Sequence, residues 1–248
     1  MALPAQPPAQ TDYSIRQGEE GWAVYALQCA LPGAERDGSF GAFTDAAVRA
    51  VQGSYALVVD GIAGPATQGA LADRVCAEHS SGLPRGLIAG IAQGEGGKLL
   101  GPVNWSVPGG VDCGLFQRRV YGPPFQLAEL QRAFDPGYQA ELLRRFLAAR
   151  AEKYQRPEMA SPGPERAWRL AALAHNYPAG ADTIAAKGIG GLSAYWRKPQ
   201  AWVPAVHLPD GYEIRTPLDW VRFYALGWPQ AEHAWRGSVT KNVTDWTP

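Results

Sequence analysis

Asp37-Gly-Ser-Phe-Gly-Ala-Phe-Thr-Asp-Ala-Ala-Val48 is followed, 23 residues on, by Asp60-Gly-Ile-Ala-Gly-Pro-Ala-Thr-Gln-Gly-Ala-Leu71. The two stretches share one pattern, Asp-Gly-x-x-Gly-x-x-Thr, closed four residues later by Val48 or Leu71. Asp-Gly makes a tight turn, the second glycine gives room for a positive φ, and Thr44 or Thr67 falls at the start or in the first turn of a short helix. Each copy therefore reads as a turn followed by a helix. Ahead of them, Val24, Leu27, Gln28 and Leu31 recur at helical spacing, and Pro32-Gly33 supplies the stop. Three short helices are thus expected over residues 13–76, with 1–12 as a flexible leader.

The whole chain has 248 residues, room for one large domain or two unequal ones. With 46% hydrophobic and 19% charged residues, the composition is that of a globular protein and excludes a mostly disordered, collagenous or coiled-coil chain. The 29 glycines and 21 prolines call for short helices and many shaped loops. The longest apolar run, near Gly86 to Gly94, is about half the ~18 residues that cross a bilayer. Met1 to Gln10 has neither the basic nor the apolar region of a secretory signal. A net charge of 0 argues against general nucleic-acid binding, although residues 1–82 carry −5 and residues 83–248 carry +5. Cys29, Cys76 and Cys113 are too scattered for a disulfide framework and are expected as thiols. His79, His175, His207 and His233 lack metal-ligand spacing, so neither metal nor other cofactor is expected.

After a linker at 77–83, Pro84 can take a first helical position, and Leu87, Ile88, Ile91 and Glu95 then share one face. Gly96-Gly97 ends that helix and leaves Glu95 at its C-terminus, continuing an apolar stripe. Desolvation and the negative helix end both disfavour the anion there, which would keep a proton available for general acid chemistry. A solvated terminal glutamate is the plain alternative. Asn104-Trp-Ser-Val-Pro-Gly-Gly-Val-Asp-Cys-Gly-Leu-Phe-Gln117 reads as a glycine-rich hairpin-like loop and a buried turn. Asp112 is there either a second carboxylate beside Glu95 or a turn-capping residue, and Gln117 either faces a ligand or holds its own loop. Pro164 to Tyr177 is expected as a buried helix, apolar on two faces and closed by Pro178 and Gly180. Arg144, Arg145, Arg150, Lys153 and Arg156 read as a solvated helix face. Seven tryptophans, Trp168, Trp196, Trp202, Trp220, Trp228, Trp235 and Trp246, are either core or ligand platforms.

Two resemblances build on these residues. Arg16 to about Val75 resembles the three-helix peptidoglycan-binding module of bacterial and phage wall hydrolases, through Gly18, Gly21, Val24, Leu27-Gln28, Asp37-Gly38, Phe40-Gly41, Thr44, Val48, Gln52, Asp60-Gly61, Gly64 and Thr67. That resemblance implies a grip on peptidoglycan through exposed aromatic and polar groups, with Trp22, Phe40, Asp37 and Asp60 as candidates. The helix-ending Glu95, the polar loop and Asp112-Cys-Gly-Leu-Phe-Gln117 are similar to the lysozyme superfamily, both animal-type lysozymes and lytic transglycosylases. Glu95 and Asp112 stand 17 residues apart, the interval between the two catalytic carboxylates of animal-type lysozymes. Ala174-His-Asn-Tyr177 resembles the Ala-Tyr-Asn motif of transglycosylases, with Asn176 matching and His175 in the tyrosine's place.

Together the resemblances imply a mainly α modular phage endolysin, with a lysozyme-like α(+β) domain and a short hairpin region over 84–248. Such an enzyme cleaves the β-1,4 bond between N-acetylmuramic acid and N-acetylglucosamine, by hydrolysis or by transglycosylation to a 1,6-anhydro product. Glu95 would be the acid and Asp112 its partner, with Ser106, Gln117, Asn176 and Tyr177 as substrate-binding candidates. A monomer made in the host cytoplasm, reaching the wall through a holin, goes with that family. Two rivals remain: a cysteine peptidase using Cys113 and His175, and a wall-anchoring protein without chemistry. Tethering by the first module raises the local substrate concentration for the second domain, so deleting Met1 to Ser81 is expected to weaken action on whole walls more than on short soluble glycans.

Overall fold

The computed structural model describes residue 7 and residues 13–105, 109–159, 163–188, 191, 206–207 and 213–216. Among the described residues the fold is mainly α, as expected, with eight helices and a small three-stranded antiparallel sheet. None of these helices is long and apolar enough to cross a membrane.

The chain forms two compact units, residues 1–79 with 92–142, and residues 80–91 with 143–248. The sequence division into 13–76, 77–83 and 84–248 is thus not the division by contact. The first unit contains α1 (Trp22–Ala30), α2 (Ala42–Ser54), α3 (Pro65–Glu78) and the last turn of α4 (Leu87–Gly96). It continues with β1 (Val103–Asn104), β2 (Gly110–Cys113), β3 (Arg118–Tyr121), α5 (Leu127–Phe134) and the first turns of α6 (Pro136–Tyr154).

The repeat is built around a buried glutamine in each copy. Gln28, 1% exposed on α1, donates through Nε2 to Asp37 Oδ1 (2.8 Å), the Ser39 carbonyl (2.9 Å) and Thr44 Oγ1 (3.2 Å), while its Oε1 accepts from the Gly38 N–H (2.8 Å). Gln52 on α2 repeats the arrangement with Asp60 Oδ1 (2.8 Å), the Ile62 carbonyl (3.0 Å), Thr67 Oγ1 (3.3 Å) and the Gly61 N–H (3.0 Å). A buried amide is tolerated because its polar atoms are satisfied, and the same bonds fix each Asp-Gly turn. The positive φ falls on the first glycine of each copy, Gly38 (74°) and Gly61 (77°). The second glycines, Gly41 and Gly64, instead sit extended at the N-caps of α2 and α3, which corrects the sequence reading. Only the turn residue facing the glutamine oxygen needs the left-handed conformation. Short bridges from Glu20 to Ser39 and from Ile15 to Ala63 close the module.

The module is packed tightly against the chain that follows it within this unit. Trp22, 2% exposed, stacks on Phe134 of α5 with ring centroids 4.9 Å apart and planes at 20°. Arg36 Nη1 pairs with Asp135 Oδ2 at 3.2 Å, and His79 Nδ1 lies 3.5 Å from Glu141 Oε2. The sheet runs in the order β1-β2-β3, and its register sets Asp112 between Asn104 and Arg119. That hairpin region matches the expected glycine-rich loop. Val111, Cys113, Leu115, Phe116 and Val120 form its buried side.

The second unit holds the start of α4, the rest of α6, α7 (Pro164–Asn176), α8 (Pro178–Lys187) and a two-stranded ladder of β4 (Val206–His207) with β5 (Glu213–Ile214). Leu87, Ile88 and Ile91 are buried as their spacing predicts. The helix starts at Leu87 rather than at Pro84, because Gly86 has φ 80° and breaks the helical path. α7 occupies the predicted stretch and buries Ala167 and every residue from Leu170 to Ala174. Pro178 does not simply close it; it opens α8 at a first-turn position, where its missing N–H costs nothing. On α6, Arg150 and Lys153 are less free than a solvated face implies, since both pair with Asp182 of α8, at 3.1 and 2.7 Å. Burial raises the Asp182 carboxyl pKa, but hydrogen bonds from Lys153 and Tyr154 and the nearby cations outweigh it, for a net lowering.

Candidate functional site

Glu95 is the last-but-one residue of α4 and is half-buried. The helix stops where expected: Gly97 and Lys98 both take positive φ, 65° and 63°, and turn the chain towards β1. The Gly97 N–H still bonds the Gln93 carbonyl at 3.0 Å, so the last turn, and Glu95 with it, is a formed helix end. Glu95 lies in the first unit, as do Asp112 and Gln117.

Asp112 points its carboxylate at its cross-strand neighbour. Arg119 Nε donates to Oδ1 at 2.9 Å and Nη2 to Oδ2 at 3.0 Å, a two-pronged pair with the Asp112 side chain 15% exposed. The hydrogen bond raises the Arg119 pKa further above its ordinary value. Both carboxylate oxygens thus already hold a strong donor. Gln117, at φ 48°, folds its amide back on its own turn, donating to the Gly114 carbonyl (3.1 Å) and the Pro102 carbonyl (3.4 Å).

That turn has a second clamp that the sequence did not reveal. Gln139 of α6, 3% exposed, accepts from the Phe116 N–H at 2.9 Å and donates to the carbonyls of Cys113 (2.9 Å) and Ala133. Gly114, at φ 78°, must be glycine, because a Cβ there would stand 2.2 Å from the Ala133 carbonyl oxygen. One glutamine in an otherwise ordinary helix carries no sequence mark of this role.

The remaining candidates fall in several places. Trp22 and Phe40, which the resemblance offered as exposed aromatic groups, are core residues, 2% and 1% exposed, so neither offers a face to a wall polymer. Asp37 and Asp60 hold their turns, and both carboxyl pKa values are lowered, first by the backbone N–H of Ser39 or Ile62 and then by Gln28 or Gln52. Apolar surface that the module leaves open belongs instead to Phe43 (91% exposed), Tyr55, Val58 and Val59. By the sheet, Trp105 and Tyr121 are exposed, and Trp105 meets Phe125 edge-on at 5.7 Å. Ser106, Trp196, Trp202, Trp220, Trp228, Trp235, Trp246 and His233 lie outside the described residues. Asn176 ends α7, and Tyr177 is the half-buried junction between α7 and α8.

Cys113 is fully buried, and desolvation pushes its thiol pKa up to about 12. A nucleophilic cysteine needs an accessible thiolate, so this setting works against the peptidase reading. His175, on α7, has its ring edge-on to Phe146 at 6.4 Å.

Residues 22–71 match the family model described as "Putative peptidoglycan binding domain". The match falls within the module bearing the glutamine-centred repeat and gives the chain a peptidoglycan-binding domain, with the cell-wall association that this implies. No curated protein matches the chain.

Proposed function

We propose that the chain is a peptidoglycan-cleaving enzyme in which Glu95 is the general acid. The substrate class comes from the peptidoglycan-binding domain at 22–71, packed in the same compact unit as Glu95. The observation that carries the chemistry is the half-buried Glu95 in the closing turn of α4, directly ahead of the β1-β2-β3 sheet. In this reading the Glu95 proton passes to the oxygen of the β-1,4 bond between N-acetylmuramic acid and N-acetylglucosamine as the bond from that oxygen to the muramoyl C1 breaks. The C1 cation is then captured by an oxygen nucleophile whose proton returns to the Glu95 carboxylate. Trp105 and Tyr121 offer aromatic surface on which sugar rings can stack. Phe43, Tyr55, Val58 and Val59 are the open surface through which the module holds the wall.

Hydrolysis, with water as the nucleophile, is the first reading. The Asp112–Arg119 pair favours a second. A carboxylate whose two oxygens are both occupied is poorly placed to act as nucleophile or base, and an acid working alone suits capture by the muramoyl 6-hydroxyl, giving a 1,6-anhydro end. Turnover of purified wall by Glu95→Gln tests the acid: a loss of at least ~100-fold with unchanged wall binding is expected. Near-normal turnover would remove the assignment.

A further inference from the structure

We propose that α3 of the peptidoglycan-binding domain positions Glu95, with Asp73 and Gln68 as the positioning residues. This rests on the reading of Glu95 as the acid. Residues 98–101, which begin three positions after Glu95, are gripped by the module at Lys98, Leu100 and Gly101. Lys98 is 9% exposed, and its Nζ reaches Asp73 Oδ1 on α3 at 2.5 Å. A lysine so buried needs that partner, and its positive φ makes the bend costly to hold without one. Leu100, fully buried, donates its N–H to Gln68 Oε1 at 3.1 Å. Gln68 is itself fixed, since its Nε2 donates to the Ala63 carbonyl (2.9 Å) and to that of Tyr13. Gly101 lies so close to α1 that a Cβ would come within 3.0 Å of the Ala23 Cα.

On the other side of the bend, the Gly97 N–H bonds Gln93 and the Lys98 N–H bonds Ala92, at 3.0 and 3.4 Å. These bonds tie the gripped segment to the last turn of α4. A rigid path therefore runs from α3 through Lys98 and Leu100 to the backbone of Glu95. A proton donor must sit within a few tenths of an ångström of its productive place, so slack in this path reduces turnover before it reduces binding. The domain that holds the wall is then also part of the support that aims the acid.

Asp73 is the residue to test, because its side chain is 50% exposed and its loss leaves no hole. In the full-length chain acting on purified peptidoglycan, Asp73→Ala is expected to lower kcat about 10-fold while KM and wall binding hold. Hydrogen exchange at 93–101 is expected to quicken. The charge-swapped double variant, Asp73→Lys with Lys98→Asp, should recover most of the kcat if the loss comes from the broken pair, and a Tm of Asp73→Ala close to that of the wild type separates positioning from a general loss of stability. An unchanged kcat in Asp73→Ala, or a swap with no recovery, would overturn the positioning role. Glu95→Gln run alongside separates the two claims. If it is inactive while Asp73→Ala is fully active, the positioning role alone falls; if it is active, the acid falls and the exchange at 93–101 decides whether α3 holds the end of α4.

Discussion

Trp22→Ala removes an indole that is 2% exposed, stacked on Phe134 at 4.9 Å and edge-on to Tyr25 at 5.6 Å. Burying a tryptophan withdraws on the order of 200 Å² from water, worth ~5 kcal/mol at about 25 cal/mol per Å². Truncations of this kind cost ~3–5 kcal/mol once the surroundings relax. The expected loss is therefore about 4 kcal/mol, a large part of the ~5–15 kcal/mol that holds a domain together. It should appear as a fall in Tm of roughly 10–15 °C. Because Trp22 and Phe134 lie in the two chain segments of one unit, the loss should be shared. Calorimetry should give one transition for that unit, shifted as a whole, and hydrogen exchange should quicken over 92–142 as well as over 22–71. A loss under about 1 kcal/mol, or faster exchange confined to 22–71, would refute the idea that the module and residues 92–142 fold together.

Gln28→Leu strands the Gly38 N–H, while the Ser39 carbonyl keeps the Gly41 N–H, and is expected to cost about 1–3 kcal/mol by urea unfolding, with Gln52→Leu costing the same through the Gly61 N–H in the second copy. Asp37 and Asp60 have lowered pKa values in the fold, so their stabilisation is complete above an unfolded value of about 4 and is lost as pH falls through the folded values. A pH series of Tm should therefore drop on the acid side, and the Asp37→Asn, Asp60→Asn double variant should flatten that drop. Iodoacetamide at pH 8 should leave wall cleavage intact and Cys113 unmodified until the protein is unfolded, as mass mapping would show. Deleting residues 1–81 should abolish action on short soluble glycans as well as on whole walls, since it uncovers Leu100 and Phe134. Retained activity on soluble glycans would restore the simple tether.

The repeat was legible because the residues that make each turn and open each helix are local. Asp37, Gly38 and Thr44 lie within eight positions, and the second copy repeats the pattern at the same spacing. The end of α4 was legible for the same reason, from Gly96-Gly97. Its start was not, because Pro84 signals a helix while Gly86, two residues on, adopts a conformation that no propensity scale encodes. Trp22 and Phe40 show the limit of pattern reading: an aromatic residue has the same letter whether it packs inward or faces a ligand, and burial alone separates the cases. Asp112 was found by its spacing from Glu95, but its partner Arg119 is set by strand register. Gln68 to Leu100 and Gln139 to Phe116 are contacts across 32 and 23 positions, made by residues that would be unremarkable on any solvated helix.

The most direct test of the central assignment is mass spectrometry of wall fragments released by the wild-type chain and by Glu95→Gln. The expected wild-type products are muropeptides cut between N-acetylmuramic acid and N-acetylglucosamine, ending in reducing or anhydro sugars that differ by one water, and these should vanish in the variant. Peptide cuts with intact glycan, or the same sugar ends from Glu95→Gln, would contradict it.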